Sequence, residues 1–234
     1  VAKTKISATR PTDGLWRAVT ITGWIFILFS ALLALGSGHR VSLLAEMHPM
    51  EPLRDLDPIP GHEAEAVILG LLSLPYLIAY VAGAFLTLRW YLRSIRNARV
   101  LHRGITISPG WVIGYFILPV VSLFRPYTMT SELWRSSQQA EGWKSLRDPA
   151  LLRWWWGLVL VAGFVSLAGS YVAPAVSTAS GVMTASVLTG IGFGLSALAG
   201  ALFLNIGGPI SRRQTALIAA GHRPAEPGIP AWSA

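Results

Sequence analysis

Four long apolar runs constrain this chain more than any other feature. They cover 17–37, 65–91, 154–173 and 182–206, and none holds Asp, Glu, Lys, Arg or His near its centre. About 20 apolar residues of helix cross a bilayer core of ~30 Å. In lipid only a helix or a closed barrel satisfies its own backbone polar groups. The chain is 53% hydrophobic and only 13% charged, against about 25% charged in a soluble domain. We therefore expect an all-α integral membrane protein. A single membrane domain over 1–234 is expected, because no polar stretch is long enough to build a core of its own.

The run after Lys3, Lys5, Arg10 and Arg17 has the shape of a signal peptide, with Ala34 and Gly36 as small residues before a cleavage point. It is read as a retained signal anchor, and the leading Val is compatible with a non-AUG start. Trp16, Trp24 and the Trp154–Trp156 triplet are expected at the headgroup level. Pro75 interrupts the second run and is expected to kink it. Pro174 and Gly181 mark the turn between the last two runs, which form an antiparallel hairpin.

A fifth apolar stretch, "SPGWVIGYFILPVVSLFRPY" at 108–127, is harder to place. Its apolar core gives about 21 Å of helix at ~1.5 Å per residue, short of the bilayer, and Pro119 interrupts it. Charge decides between the topologies. With four crossings and both ends inside, only Arg40 and Arg54 of the 19 Lys and Arg lie outside. With five crossings, Arg125, Arg135, Lys144, Arg147, Arg153, Arg212, Arg213 and Arg223 move outside as well, and the bias vanishes. The positive-inside rule favours four transmembrane helices plus a short re-entrant or interfacial segment at 109–125, resting on the bundle or on a partner. Both termini are then cytoplasmic, and the loop 39–65 is outside.

The segment "RSIRNARVLHRGITISPGWVIGYFILPVVSLFRPYTMTSELWRSS", followed by "DPALLRWWWGLVL", carries Arg96-Asn97, Ser108-Pro109-Gly110-Trp111, Pro119, Arg125-Pro126-Tyr127, Trp134 and Trp154–Trp156. In that order these residues resemble an uncharacterised bacterial membrane family, common in actinobacteria and known only as a domain of unknown function. The resemblance covers roughly half the chain. It implies a multi-pass protein of the bacterial inner membrane and supplies no activity and no catalytic residues.

Function is narrowed mainly by exclusion. Proton relays and ion paths need ionisable groups inside the spans, and the five His (His39, His48, His62, His102, His222) all fall in expected loops or tails. Zero Cys removes thiolate metal sites and iron–sulfur ligation. No enzyme activity, cofactor or metal site is expected. The net charge of +8 does not point to nucleic acid, since the basic residues flank apolar runs as loop charges do.

Four features remain. The loop 39–65 carries three His, two Met and six acidic residues in no metal-ligand spacing, and reads as an acidic loop open to a basic partner. Arg89, Arg93, Arg96 and Arg103, flanked by Arg99, share a helix face if the second span continues inward. Beyond signalling topology, they would seat an anionic phospholipid such as cardiolipin, or an acidic partner surface. Gly190, Gly194, Ala197 and Ala201 form one small-residue stripe in the last span, and Gly192, Ser196 and Gly200 another, facing Ala162, Ser166 and Ser170. Such stripes admit close helix packing, and a second one is free for another protein. The ten Trp allow an aromatic groove for a prenyl compound.

The expected function is an accessory subunit of a larger membrane complex, with a respiratory assembly as the expected host and other membrane subunits as its partners. The basic N-terminal arm and the "RPAEPGIPAWSA" tail are read as segments a partner would order. The alternative is a lipid- or prenyl-compound-binding membrane protein.

Overall fold

A computed structural model of the protein describes residues 9–53, 58–138, 142–173 and 177–221. Lys3, Lys5, Arg54, Pro174, His222, Arg223 and the two terminal segments read above as partner-ordered lie outside the described residues. The described elements are helical: α1 (Asp13–Leu44), α2 (Glu63–Leu101), α3 (Val112–Ile117), α4 (Pro119–Ser122), α5 (Arg125–Gln138), α6 (Ala150–Val172) and α7 (Ala179–Ala219), with short 3-10 turns at Pro109–Trp111 and Trp143–Ser145.

Helices α1, α2, α6 and α7 are long and apolar enough to cross a membrane, so the chain is an all-α, multi-pass membrane protein. Three of them outrun their apolar stretches. At ~1.5 Å per residue, α2 and α7 reach about 60 Å, twice the bilayer core. His39 and Arg40 therefore belong to α1, and Glu63 and Glu65 to α2, which shortens the loop between them to 45–62. Pro75 sits inside α2 without ending it.

The fifth stretch is bent. Pro109–Ile117 and Pro119–Gln138 meet at 103°. The bend falls at Leu118, which is extended (φ −71°, ψ 122°) because a residue preceding proline is pushed out of the helical region. The backbone stays closed across the bend: the Leu118 N–H donates to Gly114 O (3.0 Å) and the Ser122 N–H to Leu118 O (2.8 Å). Val112 is buried and Phe116 packs on Tyr91, ring centroids 5.8 Å apart, while Trp111, Ile113, Ile117, Val120 and Phe124 point outward. The second arm, α5, is no span: it buries Thr130, Ser131, Glu132, Ser136 and Ser137.

The chain divides into two compact units. One comprises 1–19, 85–152 and 205–234; the other comprises 20–84 and 153–204. The single-domain reading omits this division because it looks for one contiguous polar stretch. The first unit instead assembles its core from the ends of three long helices together with 102–152. That core holds Trp90, Tyr91, Ile95, Met129, Leu133, Leu152, Ile206 and Ile210, all nearly or fully buried. Hydrogen bonds cross between distant segments there: Trp90 Nε1 donates to Ser211 Oγ (2.7 Å), Gln214 Nε2 to Ser94 O (3.1 Å), and Asn97 Nδ2 to Arg10 O (2.8 Å). The buried Gln214 Oε1 and Ser94 Oγ have no partner among the described residues. Tyr91 and Thr130 share a hydroxyl–hydroxyl bond of 2.7 Å. Trp16 also belongs here. It is buried against Trp90 (centroids 5.0 Å) rather than placed as an exposed interfacial anchor, whereas Trp24 and Trp154 are exposed.

In the second unit, residues of the 45–62 loop cap α7. The N–H groups of Ala179 and Ser180 would otherwise lack acceptors, as the first donors of any helix do. They donate to Glu51 O (2.9 Å) and Pro49 O (3.1 Å). Leu44, Leu53, Ile59, Ala179 and Val182 close a small apolar core there. Arg40 Nη1 meets Glu65 Oε2 at 2.9 Å, with both side chains more than nine-tenths buried.

Candidate functional site

The basic end of α2 carries four of the five arginines singled out above. Arg89 lies over the Phe85 ring at 5.6 Å, and Arg93 Nη1 donates to Pro11 O at 3.3 Å. Arg96 and Arg99 are exposed. The stripe stops there, because α2 ends at Leu101. Arg103 does not continue the helical face. It sits in the turn beyond, which Gly104 makes with φ +74°, a left-handed conformation that glycine adopts without strain.

That turn opens a groove of about 230 Å³ lined by Arg99, His102, Arg103, Gly104 and Ile105. His102 is buried rather than solvated in a loop. The Lys144 side chain lies against Gly104, its Nζ 2.5 Å from where a Cβ would stand. The segment leaving the groove is pinned by Glu132: its Oε1 accepts from the Thr106 N–H (2.5 Å) and its Oε2 from Thr106 Oγ1 (2.7 Å). Asp148 accepts from Ser131 Oγ (2.7 Å) and Tyr127 Oη (3.1 Å) and pairs with Arg135 at 3.5 Å. The carboxylates of this region are thus spent on positioning α5 and the loops around it.

The α7 glycines separate by what they touch. A Cβ on Gly190 would meet Ser37 at 3.0 Å and one on Gly200 would meet Ile27 at 3.1 Å, both on α1. A Cβ on Gly192 would meet Ser166 Oγ on α6 at 2.6 Å, and Ser196 turns its hydroxyl back to Gly192 O (2.8 Å). Gly194 has nothing within 4 Å, and Val187, Ile191 and Leu198 beside it are exposed. The stripes therefore do not divide cleanly into an inner and an outer one. Each has a member packed inside the chain, and the open position is Gly194.

Among the described residues, those of the 45–62 loop included, no three His, Asp or Glu side chains come together. The His48 Nδ1 accepts from the Met50 N–H at 3.3 Å. Sequence reasoning missed the Arg40–Glu65 pair, although opposite charges at facing ends of consecutive apolar runs were a usable signal.

These features define a multi-pass α-helical membrane protein whose described polar side chains are arranged for packing and charge presentation. The chain belongs to the family described as a domain of unknown function, DUF4328, whose match covers residues 62–206. That span includes the groove, the bent pair and all the α7 glycines discussed. Neither the curated proteins nor the solved structures contain a match.

Proposed function

We propose that this chain is an association subunit of a larger membrane complex, without catalysis of its own, in a bacterial cell membrane with both termini cytoplasmic. A respiratory assembly is the host proposed. The "SPGW…RPY…WWW" pattern as a family signature, and an actinobacterial type of source, belong to the same reading. The observation that carries it is the open notch at Gly194. On a helix whose other stripe glycines are filled by α1 and α6, a glycine flanked by exposed Val187, Ile191 and Leu198 offers the close approach that helix association in lipid requires.

Two substitutions test it. Gly192→Leu overpacks the contact with Ser166, costs roughly 1–3 kcal/mol and lowers expression. Gly194→Leu folds as wild type but loses the stoichiometric membrane protein that wild type brings through purification in mild detergent. Retention of that protein by Gly194→Leu, or its absence from the wild-type preparation, contradicts the reading.

A second reading, a lipid- or prenyl-compound-binding protein, is supported by a ring cluster in the second unit. Tyr76 lies 5.6 Å from Phe26, 6.3 Å from Tyr80 and 5.1 Å from Phe193, and flat rings of this kind accept a prenyl chain. An anionic phospholipid such as cardiolipin at the α2 arginines belongs to this reading.

A further inference from the structure

The groove at the end of α2 is a cationic site without a carboxylate. Its lining contributes Arg99, Arg103 and the buried His102, and Lys144 lies against its floor at Gly104. Among the described residues, both Glu132 oxygens are on Thr106, and Asp148 is held by Ser131, Tyr127 and Arg135. Among the described residues neither Arg99 nor Arg103 forms an ion pair, and both are exposed. Two guanidinium forks around one concavity match an oxyanion that presents several acceptor oxygens, which a single carboxylate does less well.

We propose that this groove binds a phosphate group, the headgroup phosphate of an anionic phospholipid or a free phosphate. The volume suits one headgroup rather than a polymer. The chain leaving the groove supports the lipid source. Over residues 111 to 124 it presents Trp111, Ile113, Ile117, Val120 and Phe124 outward, an apolar surface that acyl chains cover while the headgroup sits among the cations. The inference narrows the lipid reading to one site and one chemical group. It does not depend on the Gly194 notch.

The test uses the full chain in non-ionic detergent. Native mass spectrometry follows adducts of dioleoyl phosphatidylglycerol and dioleoyl phosphatidylcholine, and calorimetry follows inorganic phosphate. Wild type retains phosphatidylglycerol in preference to phosphatidylcholine. Arg99→Gln/Arg103→Gln weakens this about 30-fold, which corresponds to about 1 kcal/mol for each charge near a membrane surface. Arg89→Gln/Arg96→Gln, on exposed arginines outside the groove, changes it less than threefold, and Gly194→Leu leaves it intact whether or not a protein partner is lost. Inorganic phosphate bound by wild type and lost in the groove pair adds a soluble phosphate to the ligands. Phosphate unbound while phosphatidylglycerol binds identifies a headgroup held together with its acyl chains. Equal loss in both double variants, no loss in the groove pair, or binding of neither ligand overturns the proposal.

Discussion

Gly207→Val should abolish the stable packing of the unit built on Trp16 and Trp90. A Cβ at Gly207 would overlap the outer edge of the Trp16 six-membered ring, at Cη2 and Cζ3, so no small adjustment makes room. The ring is buried and sits 5.0 Å from the Trp90 ring, whose Nε1 donates to Ser211. Admitting the new side chain means expelling Trp16, which uncovers Trp90 and loosens α7 at its hydrogen bond. Overpacking costs about 1–3 kcal/mol and removing a buried Trp about 3–5 kcal/mol. A loss of roughly 3–5 kcal/mol is therefore expected, read as a large drop in thermal midpoint by intrinsic fluorescence in detergent. Gly194→Val, where nothing lies within 4 Å, is the control and should change stability by less than about 1 kcal/mol. Because the two sites couple, Trp16→Ala combined with Gly207→Ala should cost less than the sum of the single changes. A wild-type midpoint for Gly207→Val would show that Trp16 does not pack there.

The second large effect concerns Arg40 and Glu65. The pair is buried on both sides at 2.9 Å, so deleting one partner leaves an uncompensated charge out of water. Such deletions cost about 3–5 kcal/mol, whereas replacing both charges with apolar groups is often neutral. Arg40→Met should destabilise by about 3 kcal/mol, and Glu65→Met by a similar amount. The double variant should return to within about 1 kcal/mol of wild type. A thermal double-mutant cycle measures this directly. Additive losses in the double variant would mean that the two side chains are solvated and independent.

The membrane class, the four membrane-length helices and the bent fifth stretch were legible because each rests on a local property: apolar length, and a proline that forces its predecessor into extended backbone. The first unit was not legible. Trp90, Ser94, Asn97, Ser211 and Gln214 come from distant parts of the chain, and single-sequence reading recognises polar side chains on apolar helices without showing which ones meet. Trp16 was misplaced for the same reason, since a tryptophan at a span's end reads as a headgroup anchor until its partner glycine is known. The arginines were found by spacing, but the groove depends on where α2 stops. That is set by Gly104, a turn signal left unused in extending the stripe to Arg103. The glycine stripes were visible by periodicity, which gives directions on a helix and not neighbours. Only the contacts of Gly190, Gly192 and Gly200 single out Gly194.

The groove's access to cytoplasmic-side headgroups and the proposed orientation both rest on four crossings, with the bent pair entering and leaving on one side. The absence of Cys from the chain makes this directly measurable. A single cysteine is placed at Ser145, exposed in the 3-10 turn after α5, and another separately at Met50, exposed in the 45–62 loop. Intact cells are treated with a membrane-impermeant thiol reagent, then lysed and treated again. Four crossings require Met50→Cys to label in intact cells and Ser145→Cys to label only after lysis. Labelling of Ser145→Cys in intact cells would make the bent pair a fifth crossing and contradict the topology.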